Sequence, residues 1–64
     1  SPINYLIQIR LERAKQILEN NTIPINMVAK AVGYEDAYYF SKLFKKYYGM
    51  SPSTYGKQKI AQKK

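Results

Sequence analysis

A chain of 64 residues carrying a net charge of +7, with only four carboxylates, is one small domain at most and points to a polyanionic partner. It has no cysteine and no histidine, which excludes disulfides, thiolate metal sites and the commonest general base. A core of this size supplies about 3–5 kcal/mol with nothing to staple it, so the chain is a marginal domain or part of a larger one.

The first predicted helix opens at Ser1-Pro2, where serine suits the N-cap and proline the first helical position. It runs to about Glu19, with Asn20-Asn21-Thr22 as its exit. Ile3, Leu6, Ile7, Leu11, Ala14, Ile17 and Leu18 make one broad apolar stripe at helical spacing. Tyr5 and Ile9 are adjacent on the opposite side, as residues four apart must be. A helix that is apolar on two faces touches protein on both, so Tyr5 and Ile9 are expected to meet a neighbour outside these residues. Arg10, inside the stripe, reads as a side chain whose stem covers apolar surface.

A second, short helix starts near Ile25, with Pro24 at its cap or first turn, and carries Val28, Ala29 and Val32 inward before Gly33. The third starts near Glu35 or Asp36, either of which can cap it, and stops at Gly49. Its predicted core knobs are Phe40, Leu43, Phe44 and Tyr47; Tyr39 and Tyr48 are placed at the core or its boundary. Ser51-Pro52 then opens a last helix to about Ile60, and Lys57 to Lys64 read as a frayed basic tail. Ser1-Pro2-Ile3-Asn4-Tyr5 recurs as Ser51-Pro52-Ser53-Thr54-Tyr55, a spacing typical of repeated units.

Two short helices joined by a glycine-containing turn, the second bearing outward lysines, read as a DNA-binding helix-turn-helix. The outer face of the third helix is Tyr38, Ser41, Lys42 and Lys45, at i, i+3, i+4 and i+7, with Ala37 at its flank. Lysine donates to guanine or phosphate, serine donates or accepts, and tyrosine or alanine touches a thymine methyl. Lys46 lies to the side and suits the DNA backbone. The plainer reading of Lys45 and Lys46 is solvated charge, and that of Glu35 and Asp36 is capping.

No catalytic set is visible in Glu12, Glu19, Glu35 and Asp36, nor any glycine-rich phosphate loop; no enzyme activity, cofactor or metal is expected. No apolar run approaches the roughly 18–20 residues that span a bilayer. Arg10, Glu12 and Arg13 interrupt the one apolar stretch that a signal peptide would need. The expected location is cytoplasmic and nucleoid-associated, with no membrane partner.

The residues Arg10, Arg13, Ala14 and Leu18, Ile25, Val28 and Ala29, Gly33-Tyr34, Phe40-Ser41-Lys42, Phe44-Lys45-Lys46, Gly49, Ser51-Pro52 and Tyr55 form a dense pattern. It resembles the C-terminal DNA-binding domain of AraC/XylS-type transcription regulators, over nearly the whole chain. The resemblance implies an all-α, small helical bundle: a homeodomain-like three-helix unit with a long N-terminal linker helix. Residues 1–21 would be the linker from a preceding helix-turn-helix unit, and 22–64 the second unit with its closing helix and tail.

By matched position, Ala37, Tyr38, Ser41 and Lys42 would contact bases, and Ile25 (through its amide), Glu35 and Lys45 the DNA backbone. Partners implied are double-stranded DNA, the preceding unit, a separate sensing domain, and RNA polymerase for the full-length regulator. Three departures from the family pattern stand out: Glu35 and Pro24 replace frequent hydroxyl residues, and Gly56 stands where arginine is common. Sequence-specific regulation by a recognition helix over residues 36–48 is the leading expectation. The alternative is a protein-contact module with only non-specific DNA affinity; a basic amphipathic membrane binder ranks last.

Overall fold

The computed structural model describes residues 2–62, and they form four helices with no strand among them: α1 (Pro2–Asn20), α2 (Ile25–Ala31), α3 (Ala37–Tyr48) and α4 (Pro52–Gln62). The predicted cap at Ser1 lies outside the described residues. The stops of α1, α2 and α3 each have a visible cause. At the end of α1, Asn20 Nδ2 donates to the Gln16 carbonyl at 2.8 Å and Asn21 Nδ2 to that of Ile17 at 3.1 Å, side-chain donors folded back onto the last turns.

The turn after α2 is a Schellman arrangement. Gly33 N donates to Lys30 O at 3.1 Å and Tyr34 N to Ala29 O at 2.8 Å, which requires the positive φ of 104° at Gly33. At the start of α3, one oxygen of Asp36 accepts from Tyr38 N at 2.9 Å and Tyr39 N at 3.3 Å. Gly49, with φ 80°, ends that helix, its amide donating to Lys45 O at 2.8 Å. Ser51 Oγ then accepts from Thr54 N at 3.2 Å and so caps α4.

The α1 helix packs along both α4 and α2, and α3 bridges α2 and α4. The core joins Leu11, Ala14 and Leu18 of α1, Val28 and Ala29 of α2, Val32 of the turn, Phe40 and Phe44 of α3 and Tyr55 of α4. Inside it the rings make a continuous edge-and-tilt stack: Phe40–Phe44 at 6.0 Å, Phe44–Tyr48 at 4.8 Å and Phe44–Tyr55 at 5.6 Å between centroids. Tyr55 also donates its hydroxyl hydrogen to Glu19, tying α4 to the end of α1. Burial, with that bond and the charge of Glu19 behind it, pushes the Tyr55 phenol up to about 12.

Four expectations are corrected. Tyr47 is 42 % exposed and is not a core knob; Tyr48 takes that role. The wheel sets positions 47 and 48 nearly symmetrically about the buried phenylalanines, but α1 and α4 stand on the side of Tyr48, where Lys15 Nζ sits 4.5 Å above its ring. The tail from Lys57 to Gln62 is helical as part of α4, anchored by Tyr55, Gly56 and half-buried Ile60; Lys63 and Lys64 lie outside the described residues. Ile3 and Leu6, placed in the buried stripe, are exposed. At the head of α3 the cap is Asp36 alone; Glu35 is exposed one residue upstream.

Candidate nucleic-acid interface

The pair Phe40 and Phe44, both fully buried, fixes which way α3 faces. The residues opposite them must then look outward, because a 3.6-residue turn leaves no other choice. Tyr38 is 72 % exposed, and Lys42, Lys45 and Lys46 are exposed beside it. The Lys42 ammonium lies 5.4 Å from the centre of the Tyr38 ring, one turn away, so the two side chains stand as a cation–aromatic pair on the outer surface.

Ala37 and Ser41 occupy the edge of this face. Both are half-buried, and Ala37 also packs against the core. The structure thus places Tyr38 and Lys42 at the crest, Ser41 and Ala37 on one shoulder, and Lys46 with half-exposed Tyr39 on the other. Lys45 and Lys46 sit in the last turn of α3, where a cation also complements the carbonyl end of the helix.

The residues expected at the DNA backbone are dispersed. Ile25 is half-buried against the core, in the first turn of α2, where an amide has no partner within its own helix. No side chain caps that end; the Pro24 carbonyl accepts from Met27 N and Val28 N instead. Glu35 lies on the opposite side of the turn, in a shallow depression with Lys30, Gly33 and Tyr34.

Several contacts escaped the sequence reading. Arg10 reaches across from α1 and sets its guanidinium carbon 5.0 Å from the Tyr34 ring centre. Lys15 and Lys59 both lie over the Tyr55 ring at 5.6 Å, cations used to cover an aromatic core. Arg10–Tyr34 and Lys15–Tyr55 join residues far apart in the chain, which no local pattern signals; Tyr55 and Lys59 stand one helical turn apart, a pairing the i,i+4 rule could have found. Among the described residues no group of histidines, cysteines and carboxylates could hold a metal, and no helix is long and apolar enough to cross a membrane.

Two helices set by a Schellman turn, with an aromatic-backed, lysine-bearing outer face on the second, define a helix-turn-helix domain. Residues 1–58 match the family described as "Helix-turn-helix domain". The chain belongs to this family, in its AraC/XylS-type branch, a non-enzymatic class that binds DNA and regulates transcription. It is 42 % identical over 62 residues to the MmsAB operon regulatory protein of Pseudomonas aeruginosa, covering 97 % of this chain and 20 % of that protein.

It is 41 % identical over 54 residues to the Msm operon regulatory protein of Streptococcus mutans, covering 84 % of this chain and 19 % of the relative. Identity to the raffinose operon transcriptional regulatory protein RafR of Pediococcus pentosaceus is 47 % over 57 residues, covering 89 % and 21 %. The chain therefore spans about a fifth of the length of these relatives. No solved structure matches it significantly.

Proposed function

We propose that this chain is the second reading unit of a sequence-specific transcription regulator, and that α3 enters the DNA major groove. The observation that carries this reading is the exposed Tyr38–Lys42 pair, held outward by Phe40 and Phe44 behind it. Lys42 donates to a base edge, Tyr38 contacts a thymine methyl or a neighbouring phosphate, and Ser41 and Ala37 approach bases from the shoulder. Lys45, Lys46, the Ile25 amide and the Glu35 end of the turn face the sugar–phosphate backbone, with Glu35 a repulsive element that narrows the fit.

Residues 1–21 link this unit to a preceding helix-turn-helix unit. The exposed apolar residues Ile3 and Leu6 on one side of α1, and Tyr5 and Ile9 on the other, support that. The full-length regulator works in the cytoplasm on the nucleoid, carries a sensing domain, and engages RNA polymerase.

In vitro selection of DNA sites, followed by titration of wild-type and variant protein against selected and random duplexes, tests the reading. Lys42→Ala lowers the preference at one base step by about 1–3 kcal/mol, whereas Lys45→Ala weakens selected and random DNA alike. With roughly three to five phosphates neutralised, log K falls against log salt with a slope of about −3 to −5. Equal losses on both duplexes for Lys42→Ala would reject base reading by α3. Full DNA affinity in Tyr38→Ala, combined with lost activation in a reporter, would favour the protein-contact module instead.

A further inference from the structure

We infer that Arg10 is a positioning residue for DNA reading: its guanidinium, laid against Gly33 and the Tyr34 ring, fixes the direction of α3 relative to α1. This rests on the proposed role of α3 in the major groove. A Cβ built on Gly33 would stand 3.1 Å from the guanidinium carbon and 3.2 and 3.3 Å from two of its nitrogens, so the flat group lies directly on the backbone of the turn. The guanidinium carbon also lies over the Tyr34 ring, 5.0 Å from its centre.

Arg10 is half-buried, and among the described residues it has neither a carboxylate nor a hydrogen-bond acceptor as partner. What holds it is its close approach to the Gly33 backbone and its cation–aromatic contact with Tyr34, and the shape of the group is what the site uses. A lysine cannot reproduce that plane. The turn it clamps is the hinge of the reading unit: three residues beyond Gly33 comes the Asp36 cap, and two beyond that Tyr38.

Tyr34 supplies the platform rather than a polar contact. Its hydroxyl oxygen is buried without a hydrogen-bond partner, while its ring also meets Phe40 at 5.9 Å and Tyr39 at 6.0 Å. The stack therefore runs from α1, through the turn, into the first turn of α3. Whatever fixes α1 in space is transmitted through Arg10 to the helix that reads the bases.

The test compares Arg10→Met, which keeps the stem and volume but removes the plane and charge, with Arg10→Lys and Tyr34→Phe. Amide hydrogen exchange, which needs no DNA, is expected to speed at least tenfold at residues 33–36 in Arg10→Met while α4 amides keep their protection. On DNA, Arg10→Met and Arg10→Lys lower affinity for selected duplex at least tenfold and for random duplex no more than about twofold. Tyr34→Phe, which keeps the ring, behaves as wild type. Unchanged exchange at the turn overturns the inference, and so does an equal loss on both duplexes, which would make Arg10 a phosphate contact. If the wild-type chain selects no sites but the turn still loosens in Arg10→Met, the clamp stands and the major-groove reading fails.

Discussion

The two halves of α1 carry one apolar stripe and meet different fates. From Leu11 onward the stripe is closed over by the other three helices, with Leu11 and Ala14 fully buried and Leu18 nearly so. Before Ile7, which still packs against the core, the same stripe is open: Ile3 is 71 % exposed and Leu6 47 %, and on the opposite side Tyr5 and Ile9 are open as well. Periodicity thus records that a face is meant for burial, but not which body buries it. The second half belongs to this bundle, and the first half is the surface we assign to a preceding unit.

The contrast can be pressed by substitution. Leu11→Ala should cost about 2–5 kcal/mol, most of what a core this small holds, so the variant should show no cooperative thermal transition by circular dichroism. A transition near that of wild type would mean that the closed half is not the stabilising one.

A smaller effect concerns the latch at the end of the closed half. Tyr55→Phe removes the bond to Glu19 and should lower stability by about 1–2 kcal/mol. The same latch has a pH signature. The Tyr55 phenol is raised to about 12, so the folded chain holds that proton more firmly than the unfolded chain, whose phenol titrates near its ordinary value of 10.0. Its contribution is complete below pH 10 and is lost as the pH climbs toward 12. Tyr48, raised chiefly by burial and also by the charge of Glu12, acts in the same direction. Denaturant midpoints from pH 8 to 12 should fall more steeply for wild type than for Tyr55→Phe; parallel curves would remove the latch from the account.

The smallest effect is expected in the open half. Leu6→Ser in this chain alone should change stability by less than about 0.5 kcal/mol, as at an ordinary surface position. In a protein that includes the residues preceding Ser1, the same substitution should be clearly destabilising. A large loss in the isolated chain would show that the open half is part of this core after all.

The helices were legible because each carries its own start, Pro2, Pro24, Asp36 and Ser51, and the two central ones carry a glycine stop, Gly33 and Gly49. The buried pair Phe40 and Phe44, and with it the outward direction of Tyr38 and Lys42, followed from periodicity alone. What a wheel cannot supply is the position of a neighbour. It could not choose Tyr48 over Tyr47, and it placed Ser41 fully on the outer face when it sits at the edge, beside Ala37 at the flank. Long-range pairings, such as Arg10 on Tyr34 and Tyr55 with Glu19, leave no mark on local spacing.

One consequence follows from the unbroken run of α1 through the bundle and out of it. Each residue inserted between Ile7 and Leu11 would rotate everything upstream by about 100° and push it outward by about 1.5 Å. A single insertion would aim the open stripe away from its original bearing, while seven residues would return it to within about 20° at a greater distance. The length of this segment is therefore free to change only in steps that restore the bearing, such as seven or eleven residues, each to within about 20°, or eighteen.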